Sequence, residues 1–250
     1  VHAKVEDLRQ ILFCAALVVL VAIPLAAVTP VRTEYAGQAL ILSSLEQYVP
    51  WGYLNTVENY LESAGYNVTV LTDNSITVSF LTTQLNNYDI IVWRTNAYNW
   101  MHVNYWYVGE LSNKATLAAF ASDYQAGWLD NTNGILGISI DFVSHHFGRG
   151  SMSNVKLMMM ISSMSVFIGQ FMIQAGVKSF IDFYDSFSLQ FDIIDYVTAQ
   201  ILRFLASGKN VNDSVWNTIS ELMNIIPADP NDQISVPPVW YLGDGTLTIA

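Results

Sequence analysis

ALILS from Ala39 to Ser43, LNTVENYLES from Leu54 to Ser63, NVTVL from Asn67 to Leu71, VSFLTTQL from Val78 to Leu85 and DIIVW from Asp89 to Trp93 follow one another along the chain. In the second segment the apolar residues Leu54, Val57, Tyr60 and Leu61 recur at helical spacing, and Ala64-Gly65 supplies a stop. The fourth segment reads as another helix, closed by Asn86-Asn87, while the first, third and fifth are short apolar runs of strand length. Strand, helix, strand, helix, strand implies parallel strands joined by right-handed crossovers, so the chain is α/β.

Beyond Gly134 the alternation continues. Gly134 to Asp141 (GILGISID) and Val155 to Ile161 (VKLMMMI) read as the fourth and fifth strands, and Val166 to Ala175 as a helix. A sixth strand follows from Val177 to Phe183, then helices from Phe191 to Ala206 and from Asp213 to Ile226 with Ser207-Gly208 between them. Pro237 to Ile249 forms a loop and a short terminal strand. Met158, Met159 and Met160 pack a buried central strand, since consecutive strand residues alternate faces. Arg94 to Gly134 reads as irregular. The aromatic residues Trp93, Tyr98, Trp100, Tyr105, Trp106 and Tyr107 gather there, either covering the sheet edge or gripping a peptide, a glycan or a partner subunit. This stretch is the candidate partner-binding surface.

Only 12% of the 250 residues are charged and 52% are hydrophobic, with a mean hydropathy of +0.32. That is about half the ~25% charge of ordinary soluble domains. A net charge of −11 argues against nucleic-acid binding, which rests on clustered basic side chains. Part of the apolar excess sits in the uncharged run from Ile11 to Val28 (ILFCAALVVLVAIPLAAV), which as a helix reaches about 27 Å, close to a bilayer core. It reads as a single membrane anchor in contact with the lipid bilayer. The other readings are a signal peptide, with Ala26-Ala27 suited to cleavage, or a helix packed in a filament core. Residues 1–30 are the expected anchor and 31–250 the expected main domain. Two glycosylation acceptor patterns, Asn67-Val68-Thr69 and Asn212-Asp213-Ser214, suggest an extracytoplasmic side. The one cysteine, Cys14, lies within the apolar run, which leaves the main domain without a thiol or a disulfide.

Open α/β sheets place ligands at the carboxyl ends of their strands. After the fourth expected strand comes Ser144-His145-His146-Phe147-Gly148, and after the fifth comes Ser162-Ser163-Met164-Ser165. A base on one strand end beside a nucleophile on the next is what a covalent hydrolase needs. The order of elements, His-Phe-Gly after GISIDFV, the SSMS turn after VKLMMMI, Ala175-Gly176-Val177 entering the next strand and the closing Gly243-Asp244 together resemble the caspase-like and gingipain-type cysteine peptidases. The resemblance spans Ala39 to Ile249. It implies a mostly parallel sheet flanked by helices, a histidine base and a cysteine nucleophile in the turn after the next strand.

The chain departs from that pattern where the chemistry would occur. Met164 stands where the resemblance places the cysteine, and a thioether cannot attack a carbonyl to give an acyl-enzyme. The histidine corresponds to His145 or His146, with an extra residue before the glycine, and Gly245 replaces the closing proline. Serine chemistry would need Ser163 or Ser165 as nucleophile with His145 or His146 as base. The histidine pair with Asp141, Asp182 and Asp185 could in principle hold a metal, but neighbours on an extended segment face opposite ways, so neither metal nor cofactor is expected. Asp182, Asp185, Asp192 and Asp195 lack calcium-loop spacing and read as a solvated, partner-facing rim. The expectation is a non-catalytic, membrane-anchored accessory or assembly subunit, its partners other membrane proteins or copies of itself. The alternatives are a membrane-anchored serine-type hydrolase and an extracellular filament subunit.

Overall fold

The computed structural model describes residues 35–183, 191–225 and 239–250. The run from Ile11 to Val28, Cys14 and Asp185 lie outside them. Among the described residues no helix is long and apolar enough to cross a membrane.

The larger of two sheets has six strands. β1 (Gly37–Ser43), β2 (Tyr66–Thr72) and β3 (Ile90–Arg94) are parallel, with α1 (Leu54–Ser63) and α2 (Val78–Gln84) in the two crossovers. β8 (Leu157–Ile161) lies parallel against β3, and β9 (Ser179–Phe183) parallel against β8. β10 (Val239–Gly243) closes the edge antiparallel to β9, giving the order β10-β9-β8-β3-β1-β2. The fold is thus an α/β mixed sheet flanked by helices.

Apolar residues on both faces of the central strands create two cores. On one face Leu40, Leu42, Ile91, Trp93, Met158 and Met160 meet α2 and α6 (Val166–Ala175). On the other, Ala39, Ile41, Ile90, Val92, Leu157 and Met159 meet α1, α7 (Phe191–Ala206) and α8 (Val211–Ile225). All five β8 residues are buried, so the methionines fill space on both faces of a central strand, as flexible side chains do. At the start of α2, Thr77 accepts a hydrogen bond from the Phe80 N–H at 3.0 Å. Thr77→Ala should therefore lower stability by about 1 kcal/mol, read as a small drop in the urea midpoint at constant slope.

The stretch from Arg94 to Gly134 is not irregular. It contains three strands of a second, antiparallel sheet, β4 (Ala97–Trp100), β5 (Val103–Leu111) and β6 (Leu129–Thr132), together with α3 (Lys114–Ala119) and α4 (Ala121–Gln125). The fourth strand of this sheet is β7 (Ile135–Ser139), in the order β4-β5-β7-β6. The expected strand from Gly134 to Asp141 therefore belongs to this sheet and not to the parallel one. It also ends early, because the Ser139 hydroxyl accepts from the Phe142 N–H and starts α5 (Ile140–His146), which buries Phe142 and Val143.

Candidate functional site

At the carboxyl end of the large sheet, β8 has β3 as its neighbour, so the residues brought face to face are Arg94-Thr95-Asn96 and Ser162-Ser163-Met164-Ser165. The Ser163 hydroxyl donates to Asn96 Oδ1 at 3.1 Å, and the indole N–H of Trp106 donates to the Ser163 carbonyl at 3.3 Å. The Ser162 hydroxyl turns onto the Ser163 carbonyl. Ser165 is fully buried, donating to the Ser162 carbonyl and accepting from the Phe183 N–H. Met164 sits at the tip with φ of 61°, half-buried against the core. Asn96 takes the place that sequence reasoning gave to a histidine. It lies two residues beyond the end of β3, and the signal for it is the pairing of DIIVW with the methionine strand, which brings it to Ser163.

An amide oxygen accepts a hydrogen bond but does not take up the proton, so Asn96 orients Ser163 without activating it. Among the described residues no imidazole hydrogen-bonds to Ser163 or Ser165. The expected base residues stand elsewhere, at the end of α5, with His146 Nε2 3.0 Å from Asp123 Oδ1 on α4. The His145 ring packs on Trp128 at 4.6 Å between centroids, and the His146 ring on Phe142 at 4.2 Å. Asp141 is exposed on the first turn of α5 and Asp182 lies within β9, so neither joins the histidines; Asp123, which no sequence spacing marks, does.

The acidic rim is also corrected. Asp192 is exposed, whereas Asp182 and Asp195 are buried. Asp195 on α7 accepts from Arg94 Nε at 2.8 Å and Nη2 at 3.0 Å, a bidentate pair at the end of β3. Arg94 Nη1 donates to the Val49 carbonyl, and the guanidinium lies over the rings of Phe191 and Trp51. Burial raises the Asp195 carboxyl above its ordinary value, and the paired guanidinium opposes that rise. Among the described residues no charged group does the same for Asp182, and burial lifts it to about 7.

The aromatic stretch is largely internal, because strand alternation sorts its residues to two faces. Trp93, Tyr105 and Trp106 are buried, and Trp93 donates to the Ser44 hydroxyl at 2.9 Å. Tyr98 stacks on Tyr105 and Tyr107 along the other face. Only Trp100, at the tip of the β4–β5 hairpin, remains open to solvent at 54%. Of the glycosylation candidates, Asn67 is exposed on edge strand β2. Asn212 instead accepts from the Tyr241 hydroxyl at 3.0 Å, and its pattern partner Ser214 is buried, so this pattern is not presented as an open acceptor loop.

No family model matches the sequence, and no curated protein matches it. Among solved structures, the chain is similar to the crystal structure of the Drosophila initiator caspase Dronc, at 7% sequence identity and a TM-score of 0.45, over 84% of this chain and 80% of that one.

Proposed function

We propose that residues 35–250 form a caspase-like domain without peptidase activity, and that the protein acts as an accessory or assembly subunit of a membrane complex, anchored by Ile11 to Val28 with this domain on the extracytoplasmic side. The non-catalytic part rests on one observation. Ser163, beside Met164 at the nucleophile position, is 8% exposed and faces an amide oxygen, while His145 and His146 at the end of α5 lie against Trp128, Phe142 and Asp123. A hydrolase needs a proton acceptor within about 3 Å of its nucleophile, and Asn96 is not one.

The assembly role draws on the low charge and the apolar N-terminal run, and on large side chains left exposed on otherwise ordered elements. Trp216 and Met223 stand two turns apart on one face of α8, and Trp240 lies on edge strand β10. Aromatic residues and methionine are the side chains enriched where protein subunits meet.

A fluorophosphonate probe tests the first part. The folded chain should label no more than the heat-denatured chain, and labelling at Ser163 or Ser165 that His146→Ala abolishes would establish the serine-type hydrolase instead. Sedimentation tests the second. The full chain should float with lipid vesicles and stay dispersed in detergent; lipid-free polymers would identify a filament subunit and sink the anchored reading.

A further inference from the structure

The histidine pair has a use that the strand ends do not supply. On α5, consecutive residues are about 100° apart around the axis, not the 180° of an extended segment, so His145 and His146 are both able to turn toward the same neighbour. That neighbour is Asp123, and one ligand atom from each of the three side chains lies within 4.8 Å of the other two. A tetrahedral zinc ion, with bonds of about 2.0–2.2 Å, sets its ligands roughly 3.4 Å apart. The His146–Asp123 pair is already at 3.0 Å, and His145, on the solvent side, has the freedom to close the remainder.

Two further observations favour a cation here. Asp123 is 4% exposed, and among the described residues no lysine or arginine pairs with it. A buried carboxylate requires a compensating charge or several donors, and among the described residues the side-chain partner of this one is His146. The histidines also occupy the last turn of α5, where the aligned peptide dipoles favour positive charge. The His146 ring is backed by Phe142 with its Nε2 toward Asp123, while the exposed His145 ring rests on Trp128.

We propose that Asp123, His145 and His146 form a binding site for a divalent metal ion of the zinc class, with two imidazole nitrogens and one carboxylate oxygen from the protein and the remaining coordination open to water. The ion ties α4 to the end of α5. The site uses neither Ser163 nor Asn96, so its failure leaves the non-catalytic reading of the strand ends standing.

Titration calorimetry of the full chain in detergent with Zn²⁺, and visible absorption with Co²⁺, test it. The wild type should take up one saturable equivalent of Zn²⁺, show the intense visible band of low-coordinate Co²⁺, and melt at a higher temperature with Zn²⁺ than with chelator. His145→Ala should weaken binding by more than about tenfold with at most a small drop in the metal-free melt, because this side chain is exposed and loses its contact with Trp128. The double substitution His145→Ala/His146→Ala should abolish the Co²⁺ band. If Asp123→Asn fails to fold, His145→Ala still decides the question. Absence of saturable binding, or equal affinity in wild type and His145→Ala, overturns the site.

Discussion

Asp195→Ala should destabilise the folded chain by about 3–5 kcal/mol, the cost of leaving one partner of a buried ion pair alone. Arg94 is 1% exposed, and its guanidinium sits between the end of β3 and the start of α7. Removing the carboxylate takes away two charge-assisted hydrogen bonds, at 2.8 and 3.0 Å, and leaves a cation with the Val49 carbonyl and two aromatic faces. Those contacts orient the group without neutralising it. Arg94→Met/Asp195→Leu should recover most of the loss, since an apolar pair removes both desolvation penalties together. Urea unfolding of the parent, Asp195→Ala and the double mutant, followed by circular dichroism, measures this. A single substitution that costs under 1 kcal/mol, or a double mutant no better than Asp195→Ala, would show that the pair is not what holds α7 to the sheet. The consequence extends to the candidate site, because Asn96 lies two residues beyond Arg94 and takes its position from that anchored strand end.

The first half of the large sheet was legible because its signals are local. Helical spacing between Leu54 and Leu61, the stop at Gly65 with its φ of 90°, and the apolar strand DIIVW each need only a few neighbouring residues to be read. The second sheet was less legible, for two distinct reasons. Asn133-Gly134, with φ of 55° and 83°, is the dipeptide that favours a tight hairpin, and it marks the β6–β7 turn plainly. Reading Gly134 only as the start of a strand hid the partner strand behind it. The β4–β5 turn carries no such mark, because Met101 and His102 adopt φ of 49° and 68° without glycine or asparagine. Without the two hairpins GILGISID reads as a strand of the parallel sheet, which puts the histidines at the wrong strand end. Asp123 and Asp195 reach their partners across 23 and 101 residues, distances over which no spacing rule operates.

Asp182→Asn should stabilise the protein at pH 8 and lose that advantage as the pH falls toward 4. Asp182 is fully buried on β9, in register with Met160 on one side and Trp240 on the other, and neither carboxyl oxygen has a hydrogen-bond partner among the described residues. Burial raises the carboxyl to about 7, whereas in the unfolded chain it titrates at about 3.9. Between those values the folded state binds a proton that the unfolded state has released, so stability falls as the pH rises through this window. Three units correspond to about 4 kcal/mol at most, with water penetration and local relaxation reducing it. Asparagine is neutral throughout and close in shape, so the substitution removes the pH-dependent penalty but buries an amide N–H₂ that needs partners of its own. The difference in unfolding free energy between Asp182→Asn and the parent, measured in urea at pH 4, 6 and 8, should therefore grow steadily with pH from a value near or below zero. A difference that stays constant across the three conditions would mean that Asp182 is ionised in the fold and has a counter-charge. A protonated carboxyl here leaves the end of β9 uncharged beside the buried Ser165 turn. Arg94 and Asp195 would then be the only fully buried ion pair among the described residues at this end of the sheet, and neither of its members is free to serve a substrate.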